Sequence, residues 1–263
     1  MPFAKGAKVT PTYFRARTWA LDFTGASMTI FVLAIAVLIF AMAFGVFRYK
    51  LKRRSTEMSY FECLEKELPA LRGAANSSGP VGFFAQEALR FYSVAGTIKE
   101  NFALDESASF DERCMTHVLV RSLLENYFRI LYIFDKPSDI QTRYDSVVEN
   151  FKREYGKLLN EPLLPRKSEL EPAGAGWSQL PRGLDMNSML AQLQNDYGDR
   201  LSYLYFTYRI ASFDTHGNNL KAVADDAFGK PCNFPVLKLE YVIELVSNQY
   251  LVVLQDMRGR GEI

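Results

Sequence analysis

Cysteine is scarce in this chain. Only Cys63, Cys114 and Cys232 occur in 263 residues, widely spaced and with no Cys-x-x-Cys pair. An odd, scattered set speaks against both a disulfide framework and a cysteine zinc site. Histidine is scarcer, with two residues, so any imidazole chemistry must use His117 or His216. Neither sign of charge dominates: 31 Lys and Arg face 30 Asp and Glu, for a formal net charge of +1. The chain as a whole is therefore not built to attract nucleic acid. A Walker loop, a GxGxxG turn, a GxSxG elbow and a zinc-protease HExxH are all missing. Gly174-Ala175-Gly176 is too short to cradle a phosphate. Ligand spacing implies no metal, no cofactor is indicated, and there is no internal repeat.

What the chain does have is one long apolar run. Residues 23–47, FTGASMTIFVLAIAVLIFAMAFGVF, carry no charged side chain. About 20 apolar helical residues cross a bilayer core of about 30 Å, so this run is long enough to span with some tilt. Arg48, Lys50, Lys52, Arg53 and Arg54 follow at once. Ahead of it, Lys5, Lys8, Arg15 and Arg17 are sparser and Asp22 dilutes them. A dense basic flank stays on the cytoplasmic side. The expectation is an uncleaved single-pass anchor of the inner (cytoplasmic) membrane, with everything after the span in the cytoplasm. A cleaved signal peptide would have a shorter core ending in a small-residue site. The basic block reads as a clamp on anionic lipid headgroups. Ser27, Ala34 and Ala41 are spaced by seven and Gly45 follows by four. Such a stripe of small residues lets helices approach closely in lipid, so homo-oligomerisation through this face is one expectation. The alternative is that Ala and Gly are simply common in spans.

The remainder reads as all-α. Ser59 and Glu62 have capping-box spacing and open a short helix to about Leu71; residues 73–80 form a turn or linker. Helices are expected over 81–102, over 109–134 from a second box at Ser109 and Glu112, and from a Ser138/Gln141 cap to about Leu159. Residues 160–185 hold four prolines and no periodicity, which predicts a long loop. Helix returns over 187–215, with a break at Tyr197-Gly198, and stops at His216-Gly217. Residues 218–235 read as irregular. A last helix runs over 236–257, where Leu239, Ile243, Val246, Tyr250 and Val253 keep the helical period. The domain plan is an N-terminal segment 1–22, the span 23–47, a basic juxtamembrane region with short helix and linker 48–80, and a cytoplasmic helical domain 81–263.

Polar residues inside apolar helices are the candidates for chemistry. Arg121, Glu125 and Arg129 form an i, i+4, i+8 ladder on a helix that is apolar nearly all round. It is either a structural ion pair or part of a site. His117 on the same helix reads as a core residue. The second group is Tyr208-Arg209-Ile210-Ala211-Ser212-Phe213-Asp214-Thr215-His216-Gly217. Arg209, Ser212 and His216 share a helical face and Asp214 lies off it. His216 at a helix end can cap carbonyls, or act as an acid or base near neutral pH.

Arg209 and His216, separated by six residues, resemble the Arg-x(4–6)-His motif of HEPN ribonucleases over roughly residues 85–257. With Arg121-x-x-x-Glu125 they look like a group of bacterial helical proteins. Ile210 departs from the polar residue that family carries after its arginine, which bears on cleavage more than on fold. The resemblance implies a helical bundle that pairs to build a composite, metal-independent RNA-cleaving site. In it His216 moves the proton, Arg209 neutralises the phosphate, and Arg121 or Asp214 orients them, with Ser212, Glu125 and Tyr208 in support. It also implies relatives that have lost cleavage and work as membrane-anchored oligomers in anti-phage defence. Three functions stay open: a self-associating membrane effector, a tethered ribonuclease acting on RNA, and a non-catalytic anchor that binds a partner protein.

Overall fold

Two capping boxes predicted from the sequence set the register of the structure. Ser59 Oγ accepts from the Glu62 amide while the Glu62 carboxylate accepts from the Ser59 amide at 2.9 Å, starting α1, Tyr60–Ala74. Ser109 and Glu112 do the same at the start of α3, Phe110–Phe134. Each box satisfies orphan amides that a helix end otherwise leaves open. These features come from a computed structural model of the chain, which describes residues 58–215, 221–230 and 237–263. Among the described residues there are helices and no strands: α2 is Gly79–Asn101, α4 Ile140–Asn160, α5 Met186–Ala191, α6 Gly198–Thr215, α7 Lys221–Phe228 and α8 Leu239–Gly259. The all-α expectation holds for them. No helix among them is long and apolar enough to cross a membrane. The predicted span 23–47, its stripe Ser27, Ala34, Ala41 and Gly45, and the basic block 48–54 lie outside the described residues.

α3 is the centre of the bundle, as its all-round apolar surface requires. It packs against α2, α4, α5, α6 and α8, while α1 packs on α2 and α8. Eleven α3 residues are buried, from Thr116 to Ile133. An aromatic knot ties three helices together. Tyr250 of α8 is buried, with ring centres 5.8 Å from Phe84, 5.2 Å from Phe91 and 6.3 Å from Tyr127. Offset and tilted aromatic pairs at such distances add to the gain from burial alone. The turn before α2 folds back tightly, because a Cβ at Gly82 would stand 1.8 Å from the Ser77 carbonyl oxygen.

Two expectations need correction, and a third holds with an addition. α4 is not capped by Ser138. A 3-10 turn over Pro137–Asp139 precedes it, Asp139 is its N-cap, and Ser138 Oγ donates to the Asp139 carboxylate instead. Pro137 sets the backbone for that extra turn and shifts the helix start by one residue. Residues 218–235 are not all irregular, since α7 forms within them. Residues 160–185 are irregular, as expected, but anchored to α4. Trp177 lies against Tyr155 at 6.2 Å, the Tyr155 hydroxyl donates to the Glu171 carbonyl at 2.7 Å, and the Gly183 amide donates to Asn150 at 2.9 Å.

Gly156 is the contact point. A Cβ there would meet the Ser178 amide at 2.7 Å and Trp177 at 3.1 Å. Gly156→Val is expected to lift the 177–179 turn from α4 while leaving the core folded. Trp177 then shows red-shifted fluorescence and the 160–185 segment is cut faster by protease, with a stability loss of about 1–3 kcal/mol.

A candidate polar site between α3 and α6

The predicted ladder on α3 forms as a continuous ion pair. Glu125 takes Arg129 at 2.7 Å and Arg121 at 3.5 Å, and Arg129 also donates to Asn126 at 3.0 Å. All three ladder side chains are partly exposed, so they sit on the rim of the bundle rather than in its core. Pairs of this kind contribute about 0.3–0.5 kcal/mol each. Their other property is reach. Arg121 Nε donates to Ser212 Oγ at 3.4 Å across to α6, and its guanidinium lies 5.7 Å from the Tyr208 ring centre. Ser212 Oγ meanwhile donates back to the Tyr208 carbonyl at 2.7 Å. The Ser212 proton is thus committed to a backbone carbonyl and one lone pair to Arg121, which suits it to hold Arg121 rather than to attack a substrate.

α2 extends the line of charge. Glu87 pairs with Arg90 at 2.9 Å, although Glu87 Oε2 has no hydrogen bond of good angle. Burial raises the Glu87 carboxyl above its ordinary pKa, and the charges of Arg90 and Arg129 oppose that shift. A cation–anion sequence therefore runs Arg90, Glu87, Arg129, Glu125, Arg121 from α2 to the Ser212 end of α6.

The structure brings Arg121, Glu125, Tyr208 and Ser212 together as one group. Arg209 is not in it. It stands exposed on α6, between Phe206, 46 % exposed, and Phe213, 44 % exposed. The backbone of Asp214 belongs to α6, but its side chain and the whole of His216 lie outside what is described. His117 is buried, as read from its apolar neighbours. Among the described residues no group of three or more His, Cys, Asp or Glu is placed to hold a metal ion.

A second polar centre was not anticipated. Asp135 follows α3, and its side chain has no exposed surface. Its carboxylate accepts from the Gln194 amide at 2.7 Å, the Asn195 amide at 3.2 Å, Asn195 Nδ2 at 2.9 Å and the Tyr197 hydroxyl at 3.1 Å. Arg143 approaches to 3.7 Å, lies 4.7 Å from the Tyr132 ring centre and donates to the Tyr132 carbonyl. Asp135 thus fixes the turn between α5 and α6. The cue was one acid before Lys136-Pro137, with partners about sixty residues away, and no local pattern links them. Tyr197 then lines a cavity of about 410 Å³ between the start of α6 and α8.

With this geometry in view, comparison with known proteins adds no homologue. No protein-family model, no curated protein and no solved structure matches the chain. The class that the fold defines is therefore an all-α bundle with a half-buried polar ladder.

Proposed function

We propose that this protein is a single-pass membrane effector whose helical bundle lies in the cytoplasm, self-associates, and acts at the membrane in bacterial anti-phage defence. The observation that carries the reading is the uncharged run 23–47 followed by five cations in seven residues. The small-residue stripe supports association in lipid. The defence role rests on the HEPN-like resemblance of Arg209 and His216. The Arg121–Glu125 ladder, tied to Ser212, supports a rigid α3–α6 pair as the part that communicates with a copy or a partner protein.

A second reading is a membrane-tethered, metal-independent ribonuclease. It is favoured by one observation: Arg209 is exposed on α6, where a phosphate could reach it. Two sets of substitutions separate the readings. Under the effector reading, Ala41→Leu or Gly45→Leu disrupts the oligomer in detergent and abolishes activity in cells, while Arg209→Ala and His216→Ala leave both intact. Under the ribonuclease reading, Arg209→Ala and His216→Ala each lower RNA cleavage by about 10²-fold or more, with oligomer size unchanged. If neither set has an effect, a non-catalytic anchor that binds a partner is left.

A further inference from the structure

The cavity beside Tyr197 has the features of a binding site. One wall is the first turns of α6 and the other is Leu245, Asn248 and Gln249 of α8. Tyr127 reaches it from the core side. Tyr127 is only 4 % exposed, yet its hydroxyl has no hydrogen-bond partner among the described residues. The hydroxyl oxygen is not one of the fully covered polar atoms that lack a partner, so it opens onto the cavity, where water or a bound molecule pairs with it. Burial, with the Tyr197 phenol nearby, pushes the Tyr127 pKa up, so Tyr127 stays a neutral donor. The carboxamides of half-buried Asn248 and Gln249 and the guanidinium of Arg200 also lack partners among the described residues. Three buried or half-buried polar groups, on Tyr127, Asn248 and Gln249, thus line one space that Leu201, Leu204 and Leu245 flank, while Arg200 is exposed to solvent. Tyr197 and Asp196 are already engaged, by Asp135 at 3.1 Å and by the Gly198 amide at 2.8 Å.

Charge narrows the choice of ligand. The α6 N-terminus and Arg200 are positive, but Asp196 and Asp199 stand beside them. A phosphate would meet two carboxylates, so a neutral molecule is favoured over an anion. Carboxamides offer a donor next to an acceptor, the pattern that matches the edge of a nucleobase. Leucine walls suit the face of a flat ring, and the volume lies in the range of small-molecule sites.

We propose that this cavity binds a free neutral nucleoside, with Asn248 and Gln249 reading the edge of the base and the Tyr127 hydroxyl bonding its inner end. This inference depends on neither the membrane nor the ribonuclease reading. The test is titration calorimetry on the full chain in detergent, with adenosine, guanosine, cytidine and uridine and the 5′-monophosphate of each. At least one nucleoside is expected to bind saturably with a Kd of about 1 mM or tighter, and its monophosphate more weakly. Tyr127→Phe, which keeps the ring in the core, and Asn248→Ala should each weaken binding about tenfold with the circular dichroism spectrum unchanged. Absence of binding by any nucleoside would overturn the proposal. So would binding that both variants leave unaltered, tighter binding of the monophosphates, or binding of a single-stranded oligonucleotide with none of the free nucleosides.

Discussion

Asp135→Ala lowers the stability of the helical bundle by about 3 kcal/mol and its melting temperature by about 6–12 °C. The substitution removes an acceptor that serves two backbone amides, one side-chain amide and one phenol. The carboxylate itself is fully covered, so the four bonds are lost together, although exposed Gln194 and Asn195 recover part of the loss through water. Arg143 is left buried with its remaining carboxylate, Asp139, at 3.8 Å. A buried charge that loses its partner costs more than a neutral side chain that loses a contact. Asp135→Asn keeps the shape and one acceptor oxygen, so its loss is smaller, about 1–2 kcal/mol. Thermal or urea unfolding of the two variants checks the order, and an Asp135→Ala protein as stable as wild type would refute the clamp.

The same carboxylate predicts a pH dependence. Burial alone raises the pKa of Asp135, but the donors from Gln194, Asn195 and Tyr197 outweigh it and hold it below the ordinary aspartate value of 3.8. A carboxyl depressed in the folded state contributes stability above its unfolded pKa and loses it as pH falls through the folded one. Wild type should therefore lose stability below about pH 4, and Asp135→Asn should lose less over the same interval. Glu87 acts in the opposite sense, since its raised pKa favours the folded state as pH falls. The Asp135→Asn comparison isolates the aspartate from it.

Deleting residues 23–47 has the second large effect. Without that run only the basic block 48–54 still contacts the membrane, and salt screens it, so the variant should leave the pellet for the aqueous fraction in a high-salt wash. Replacing Ala34 and Val37 by Arg tests the same point without shortening the chain. Each arginine near the middle of a span costs about 2.5–3.5 kcal/mol of insertion free energy. The doubly substituted protein should no longer insert, while its bundle unfolds at the wild-type temperature. Membrane association that survives the deletion would mean that other residues hold the protein there.

Much of the helical plan was legible because its signals are local. Ser59 with Glu62 and Ser109 with Glu112 are boxes of four residues, and both form. Gly198 marks the start of α6 with φ of 54°, a conformation that a side chain with a Cβ disfavours. The ladder of Arg121, Glu125 and Arg129 was readable because i, i+4 spacing stacks side chains on any helix. Its link to Ser212 joins residues 91 apart, and only the packing of α6 on α3 creates it. α7 was missed because eight residues between the His216-Gly217-Asn218-Asn219 stop and Gly229-Lys230-Pro231 give too short a period to recognise. Nothing in the sequence sets Tyr127 apart from the apolar residues of α3. Its ring does lie in the core, and only the placement of α8 gives its hydroxyl a cavity to face.

The most direct measurement is protease protection with a tag at the C-terminus. In intact spheroplasts the tagged bundle should survive external protease, and in inverted membrane vesicles it should be digested, with the protein staying in the pellet after alkaline carbonate washing. Digestion in intact spheroplasts, or release by carbonate, would contradict a bilayer crossing that leaves the bundle inside.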